Sequence, residues 1–304
     1  MALGSHRSAG AFFHGLIVFL VMDDSTRNVI DIQGNPDPVG LKAVRQLVCD
    51  QFIRSAACFE ELGSTNTLAL SQVQDATCSE MTLPRLLIAD RQLAGRGRRG
   101  RTWSSDDGTL TFSLIVSFDD PTLRERFIKL GSLAVGLGIS RFVEYEFAPL
   151  QVKLKWPNDV YLAGGKLAGV LIELVAGKSN FFVIGVGLNV GTRPDLSDPV
   201  SFPSVASLSH VLGRSVKRYE LLAGIVPSIL ESINAVETEP SSLLIDFRKR
   251  CQLTGHPVEY QAEDGRRTGM CIGVNDSGGL RIQNATGEEV IHSGEANLIR
   301  STLS

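Results

Sequence analysis

A chain of 304 residues with 43% apolar and 21% charged side chains can build one large core, or one large domain beside a small one, and is neither disordered nor fibrous in composition. Its net charge of −3 gives no general attraction to nucleic acid or to an anionic membrane, so the five arginines between Arg91 and Arg101 are a local feature. The odd number of scattered cysteines (Cys49, Cys58, Cys78, Cys251, Cys271) and five histidines without ligand spacing argue against a disulfide framework, a zinc centre or a serine–histidine pair. Reduced thiols in a cytoplasmic protein are expected instead.

The apolar run Ala11–Met22 is too short to span a bilayer, and "DDSTRN" follows it without a small-residue cleavage site. Residues 1–40 are therefore expected to be an extension outside the core, with Met22 a candidate start. "NPDPVG" is a turn leading to a short amphipathic helix over 41–53, and "AACFEEL" reads as a strand. "STNTLALSQV" enters a helix with Ser64 or Thr65 as N-cap. Strands follow at Arg85–Asp90 and Thr111–Phe118, separated by some twenty residues with no apolar period, a length typical of a functional loop.

Arg124–Phe147 reads as a long helix whose Gly and Ala positions suit close packing on a sheet. "QVKLKWP" is a strand, "VYLAGGKLAGVLIELVA" a hairpin around Gly164 and Gly165, and Phe181–Val190 a further strand. Helices are expected around Ser204–Leu212, Tyr219–Val236 and Ser241–Cys251. From Gly255 onward five short alternating runs are divided by "EDGR", "NDSGG" and "NATGE", the pattern of a small β-barrel-like module. The organisation expected is thus an α/β domain of the α+β kind over 41–251 and a β module over 252–304.

The loop "AGRGRRGRTW", Ala94–Trp103, contains G-x-G-x-x-G at Gly95, Gly97 and Gly100. A dinucleotide turn needs a helix opening inside that motif, and "RTWSSDDGTLTF" opens none. A nucleic-acid patch would need wider basic surroundings than "SSDDG" provides. The loop has company, however. "KLKWPNDV" carries Lys153 and Lys155 on alternate strand positions, then Asn158 and Asp159 at the turn; Asp159 could approach Mg²⁺ or receive a proton. "GGKLAGVLIE" presents Lys166 between glycines and a strand, and "VIGVGLNV" presents Gly185, Gly187 and Asn189. Each motif alone is a routine turn or strand; together, in this order, they are highly specific.

The set "STN", Q-x-x-G-R-G-R-R-G-R-x-W, K-W-P-N-D, K-L-A-G-V-L-I-E and I-G-V-G-L-N-V resembles the catalytic core of biotin protein ligases, the biotin–[acetyl-CoA-carboxylase] ligases, over roughly Ala57–Val190. The resemblance implies a mixed-sheet catalytic domain like that of class II aminoacyl-tRNA synthetases, followed by an SH3-like β-barrel. It implies ATP, Mg²⁺ and biotin as ligands, with biotin activated to biotinyl-5′-AMP and passed to a lysine of a biotin carboxyl carrier domain.

By the same resemblance Ser64, Thr65, Asn66, Gln92, Gly95, Arg96, Gly97, Arg98, Lys166 and Gly187 would bind biotin. Arg96, Arg98, Trp103, Lys155, Asn158, Asp159 and Asn189 would face ATP, with Asp159 toward Mg²⁺. Arg98, Lys166 and Asp159 would carry the chemistry, while Arg99 and Arg101 stay open. The loop's glycines read as hinges that let it close over a water-sensitive intermediate. About forty residues between Met22 and Ser64 are too few for the winged-helix DNA-binding domain of some family members, so no operator binding is expected, nor a membrane. "GTRPDLSDPVSFPSVASL" would cover the adenylate. The alternatives are a lipoate-type acyl-adenylate ligase and a non-catalytic biotin-responsive or nucleic-acid-binding protein.

Overall fold

The computed structural model describes residues 29–75, 82–191, 205–262 and 265–299. The apolar run at Ala11–Met22, Cys78 and most of the segment expected to cover an adenylate lie outside them. An eight-stranded mixed sheet forms the centre, in the order β1-β2-β3-β4-β8-β7-β6-β5. Its first three strands, β1 (Val29–Gln33), β2 (Ser55–Leu62) and β3 (Arg85–Gln92), are parallel. The others, β4 (Thr109–Ser117), β5 (Val152–Lys155), β6 (Asp159–Leu162), β7 (Gly165–Val175) and β8 (Lys178–Asn189), join antiparallel.

β1 falls inside the stretch expected to be an extension. It pairs with β2 from Val29 to Gln33, and the following helix α1 (Pro38–Cys49) starts three residues before the expected 41. The expected boundary at residue 40 therefore falls too late. Asp37 caps α1 by accepting from the Val39 amide at 2.7 Å, and Pro38 supplies a pre-set first turn.

β2, β3 and β4 read as continuous apolar runs because helices cover both their faces. On one face α2 (Thr65–Gln74) buries Ala69 and Val73 against Ala57, Leu87, Ile115 and Val183. On the other, α1, α3 (Pro121–Glu146), α5 (Leu222–Thr238) and α6 (Pro240–Arg250) pack over a larger core. α3 starts at Pro121, capped by Asp120, rather than at the expected Arg124. Gly138 on α3 faces α5 rather than the sheet: a Cβ there would come 2.7 Å from the Ser228 carbonyl oxygen. α4 (Leu208–Leu212) is shorter than the helix expected over Ser204–Leu212, because Val205 bridges to Lys166 and Ser207 is extended.

The C-terminal β module is a five-stranded antiparallel sheet, β12-β11-β10-β9-β13, built from β9 (Pro257–Ala262), β10 (Gly265–Val274), β11 (Leu280–Asn284), β12 (Gly287–Ile291) and β13 (Ala296–Leu298). Its inner residues Val258, Tyr260, Leu280 and Ile282 join the main core. Trp156, at the end of β5, donates its indole N–H to the Gly278 carbonyl at 2.9 Å. One helical stretch, 218–238, is long and apolar enough to cross a membrane by composition, but in the fold its Leu222, Ile225, Val226 and Ile229 are buried in the core.

Candidate active site

The N-terminus of α2, the end of β3, the arginine loop, the β5–β6 turn, β7 and β8 converge on one cavity of about 530 Å³. Ser64, Thr65, Asn66, Gln92, Arg96, Gly97, Arg98, Trp103, Lys155, Asn158, Asp159, Lys166, Gly187 and Asn189 all line it. Of the residues expected in a site, Gly95 alone is behind the wall. Its task is steric, because a Cβ on it would come 2.3 Å from the Trp103 carbonyl oxygen.

One half of the cavity is lined by neutral polar side chains and edged by the Arg96–Glu173 ion pair. Ser64 is extended and N-caps α2, so Thr65 and Asn66 turn inward at the first helical turn. The Thr65 amide donates to Gln92 Oε1 at 2.7 Å, and the Thr65 hydroxyl lies 3.1 Å from the same oxygen. Ser113 of β4, fully buried, lies 2.7 Å from Thr65 Oγ1 and 2.6 Å from Asn66 Oδ1. Such a wall suits a buried ligand rich in amide-like donors and acceptors.

The other half is cationic. Lys166 Nζ pairs with Asp159 Oδ1 at 2.7 Å, and Arg98 donates to Asn158 Oδ1 at 3.0 Å. Lys155 Nζ donates to Asn297 Oδ1 at 2.6 Å. Burial lowers the pKa of Arg98, aided by Arg99 and Arg101 and opposed by Asp159. Burial also lowers that of Lys155, opposed by Asp159 and aided by Lys166 and Arg101. Cations crowded in this way are stabilised by an incoming polyanion. For Mg²⁺ the site offers Asp159, one oxygen of which already faces Lys166; among the described residues no group of three or more His, Cys, Asp or Glu could hold a metal. That fits an ion carried chiefly by a ligand's own phosphates.

Trp103 stands between the halves. Its ring lies against Gly187, where a Cβ would come 2.2 Å from Cε2, and 5.9 Å from Lys166 Nζ. Trp103 Nε1 and Asn189 Oδ1 are buried and have no hydrogen-bond partner among the described residues, which leaves a donor and an acceptor for a ligand to satisfy.

The arginine loop is a narrow hairpin. The Gly97 amide donates to the Arg101 carbonyl at 2.7 Å, and the Trp103 amide to the Gly95 carbonyl at 2.9 Å. Only Gly100 of its three glycines takes a positive φ, +73°, beside Arg99 at +56°. The loop contains only a single 3-10 turn, Arg98–Gly100, and the chain continues into β4 with no α-helix, so the dinucleotide-turn reading is excluded by the path of the backbone. Gly95→Ala is expected to open this hairpin and free Trp103. The chain's second tryptophan, Trp156, is only 2% exposed, so a red-shifted, quencher-accessible emission would report Trp103. An unchanged emission would show that the hairpin accepts the methyl group.

The comparisons with known proteins agree with this geometry. Residues 59–189 match the family model of the biotin/lipoate A/B protein ligases. The bifunctional ligase/repressor BirA of Bacillus subtilis is 30% identical over 225 residues, 70% of this chain and 66% of that protein. The biotin–[acetyl-CoA-carboxylase] ligase of Mycobacterium tuberculosis is 29% identical and matches 83% of this chain and 94% of its own length. Residues 59–189 form a biotin/lipoate A/B protein ligase domain. Its fold superposes on the biotin protein ligase of Aquifex aeolicus solved in complex with biotin and ATP, with a TM-score of 0.64 and 29% identity, covering 81% of this chain and 99% of that one.

Within this family framework the structure separates two arginines that the sequence grouped together. Arg98 turns toward Asn158, whereas Arg96 makes a two-pronged contact with Glu173, at 2.8 and 3.2 Å. Arg101 pairs with Glu295, and Arg99 Nη2 comes near Gly294, so the C-terminal sheet touches the loop. Glu173, Ser113, Glu295 and Asn297 were not singled out from the sequence. Glu173 closes the "KLAGVLIE" motif and was visible there as a charge on an apolar strand. The two C-terminal residues carry no such signal.

Proposed function

We propose that this chain is an ATP-dependent biotin–protein ligase, acting in the cytoplasm. A biotin carboxylate oxygen bonds to the α-phosphorus of ATP and pyrophosphate leaves, giving biotinyl-5′-AMP. The amine of a carrier-domain lysine then attacks the acyl carbon, AMP departs, and the amine loses a proton. The observation that carries this reading is the joining, in one cavity, of a neutral amide-matching wall to a cluster of Arg98, Lys155 and Lys166.

The polar wall of Ser64, Thr65, Asn66 and Gln92 matches a ureido ring, whose N–H and carbonyl groups need partners when buried. Gly187 and Trp103 supply an apolar surface beside it. Lys166 and Arg98 stand where two anions must meet and offset their repulsion. Asn158, Asn189 and Lys155 face the nucleotide, and Mg²⁺ bound with its phosphates would supply further positive charge near Asp159. Asp159 is also the carboxylate placed to accept the lysine's proton. Arg96, being engaged by Glu173, acts on the biotin side. In this reading the C-terminal sheet is the SH3-like module, the large sheet is of the class II synthetase type, and the partner is a biotin carboxyl carrier domain.

A polar wall disfavours the apolar dithiolane of lipoate, and ATP–pyrophosphate exchange with each acid distinguishes the two. Exchange that depends on biotin and ignores lipoate is expected; exchange with lipoate alone would overturn the proposal.

A further inference from the structure

We propose that Glu173 is a positioning residue for biotin: its carboxylate fixes which way the Asn66 amide faces and ties the arginine loop to that amide. The inference rests on the biotin reading above.

Asn66 is 4% exposed and held on every side. Its Nδ2 donates to Glu173 Oε2 at 2.9 Å and to the Leu171 carbonyl at 3.3 Å, so both amide hydrogens are in use. Its Oδ1 lies 2.6 Å from the Ser113 hydroxyl. Gly185 lacks the Cβ that would stand 2.3 Å from that oxygen, so β8 makes room for this one orientation. Asn66 lines the cavity, and the hydrogen-bonding capacity left to it is a lone pair on Oδ1, an acceptor. A ureido N–H requires an acceptor.

Glu173 is well suited to hold that polarity, because its carboxylate, like the more distant Leu171 carbonyl, only accepts. It receives Nδ2 of Asn66 and two N–H groups of Arg96, three donors on one carboxylate. A glutamine at 173 would bring its own amide donors among them. With only the Leu171 carbonyl, 3.3 Å away, left to oppose it, the Asn66 amide could then turn over, giving its oxygen to residue 173 and a hydrogen to Ser113. A donor would then face the ureido N–H. Arg96 would lose its two-pronged partner in the same step, so ring recognition and loop position are coupled through a single side chain.

Steady-state exchange kinetics on Glu173→Gln in the full chain, with KM for biotin, KM for ATP and kcat separated, tests this. KM for biotin is expected to rise roughly tenfold or more, the cost of an unmatched buried polar group, while KM for ATP and kcat stay within about twofold. Glu173→Asp, which keeps an acceptor-only group, should recover part of the biotin affinity, and both variants should melt near wild type. An unchanged KM for biotin in Glu173→Gln would overturn the proposal. So would a fall in stability with all three parameters moving together, since that is loss of structure. A wild-type chain without biotin-dependent exchange would instead overturn the ligase reading, and this inference with it.

Discussion

Lys166→Ala is expected to lower biotin-dependent ATP–pyrophosphate exchange by roughly a thousandfold, the scale of losing one preorganised charge at an anionic transition state. The Lys166 carbonyl accepts from the Ala206 amide at 3.0 Å and from Asn189 Nδ2 at 3.1 Å, which fixes the strand beneath the side chain. The ammonium is then aimed between Asp159 and the Trp103 ring. Its removal leaves the Asp159 carboxylate, with a side chain 16% exposed, without its counter-ion, at a cost of about 1–3 kcal/mol. Adding Asp159→Asn should therefore restore the melting temperature without restoring the rate. If the double variant regained exchange, the loss in Lys166→Ala would have been one of stability alone.

Gly187→Val is expected to raise KM for biotin by about a hundredfold, because overpacking here falls on the ligand surface. Gly187 is paired with Thr111 of β4 and Gly169 of β7 in the centre of the sheet, so its backbone cannot retreat. The group that must move is the Trp103 indole, which lies within 2.2 Å of a Cβ at this position. Trp103→Ala in the same chain gives the new side chain room, and should recover thermal stability while leaving biotin affinity low. Recovery of affinity in the double variant would mean that the indole is only a plug. Wild-type Trp103 emission should also shift when biotin is added, and Trp103→Phe should lose that shift.

What the sequence reveals and what it hides follow from chain distance. Local chemistry was legible: a cap of α2 at Ser64 or Thr65, of which the structure uses Ser64, the hairpin at Gly164 and Gly165, and the short C-terminal strands all depend on residues a few positions apart. The resemblance then collected Arg98, Asp159 and Lys166 into one site, and they do line one cavity. β1 was missed because five residues at a parallel edge make sense only when β2 is beside them. Partner choice was also hidden. Nothing near Arg96 in sequence says that Glu173, 77 residues on, will hold it. The same is true of Lys155 and Asn297, which lie 142 residues apart. Nor did the sequence show that Gly95 is a place where two backbones nearly touch.

The most direct measurement is the intact mass of a purified biotin carboxyl carrier domain after incubation with this protein, biotin, ATP and Mg²⁺. The proposed function predicts the addition of one biotinyl group to the carrier, dependent on ATP and absent with Lys166→Ala. A carrier left unmodified by a folded protein that binds both ligands would contradict it.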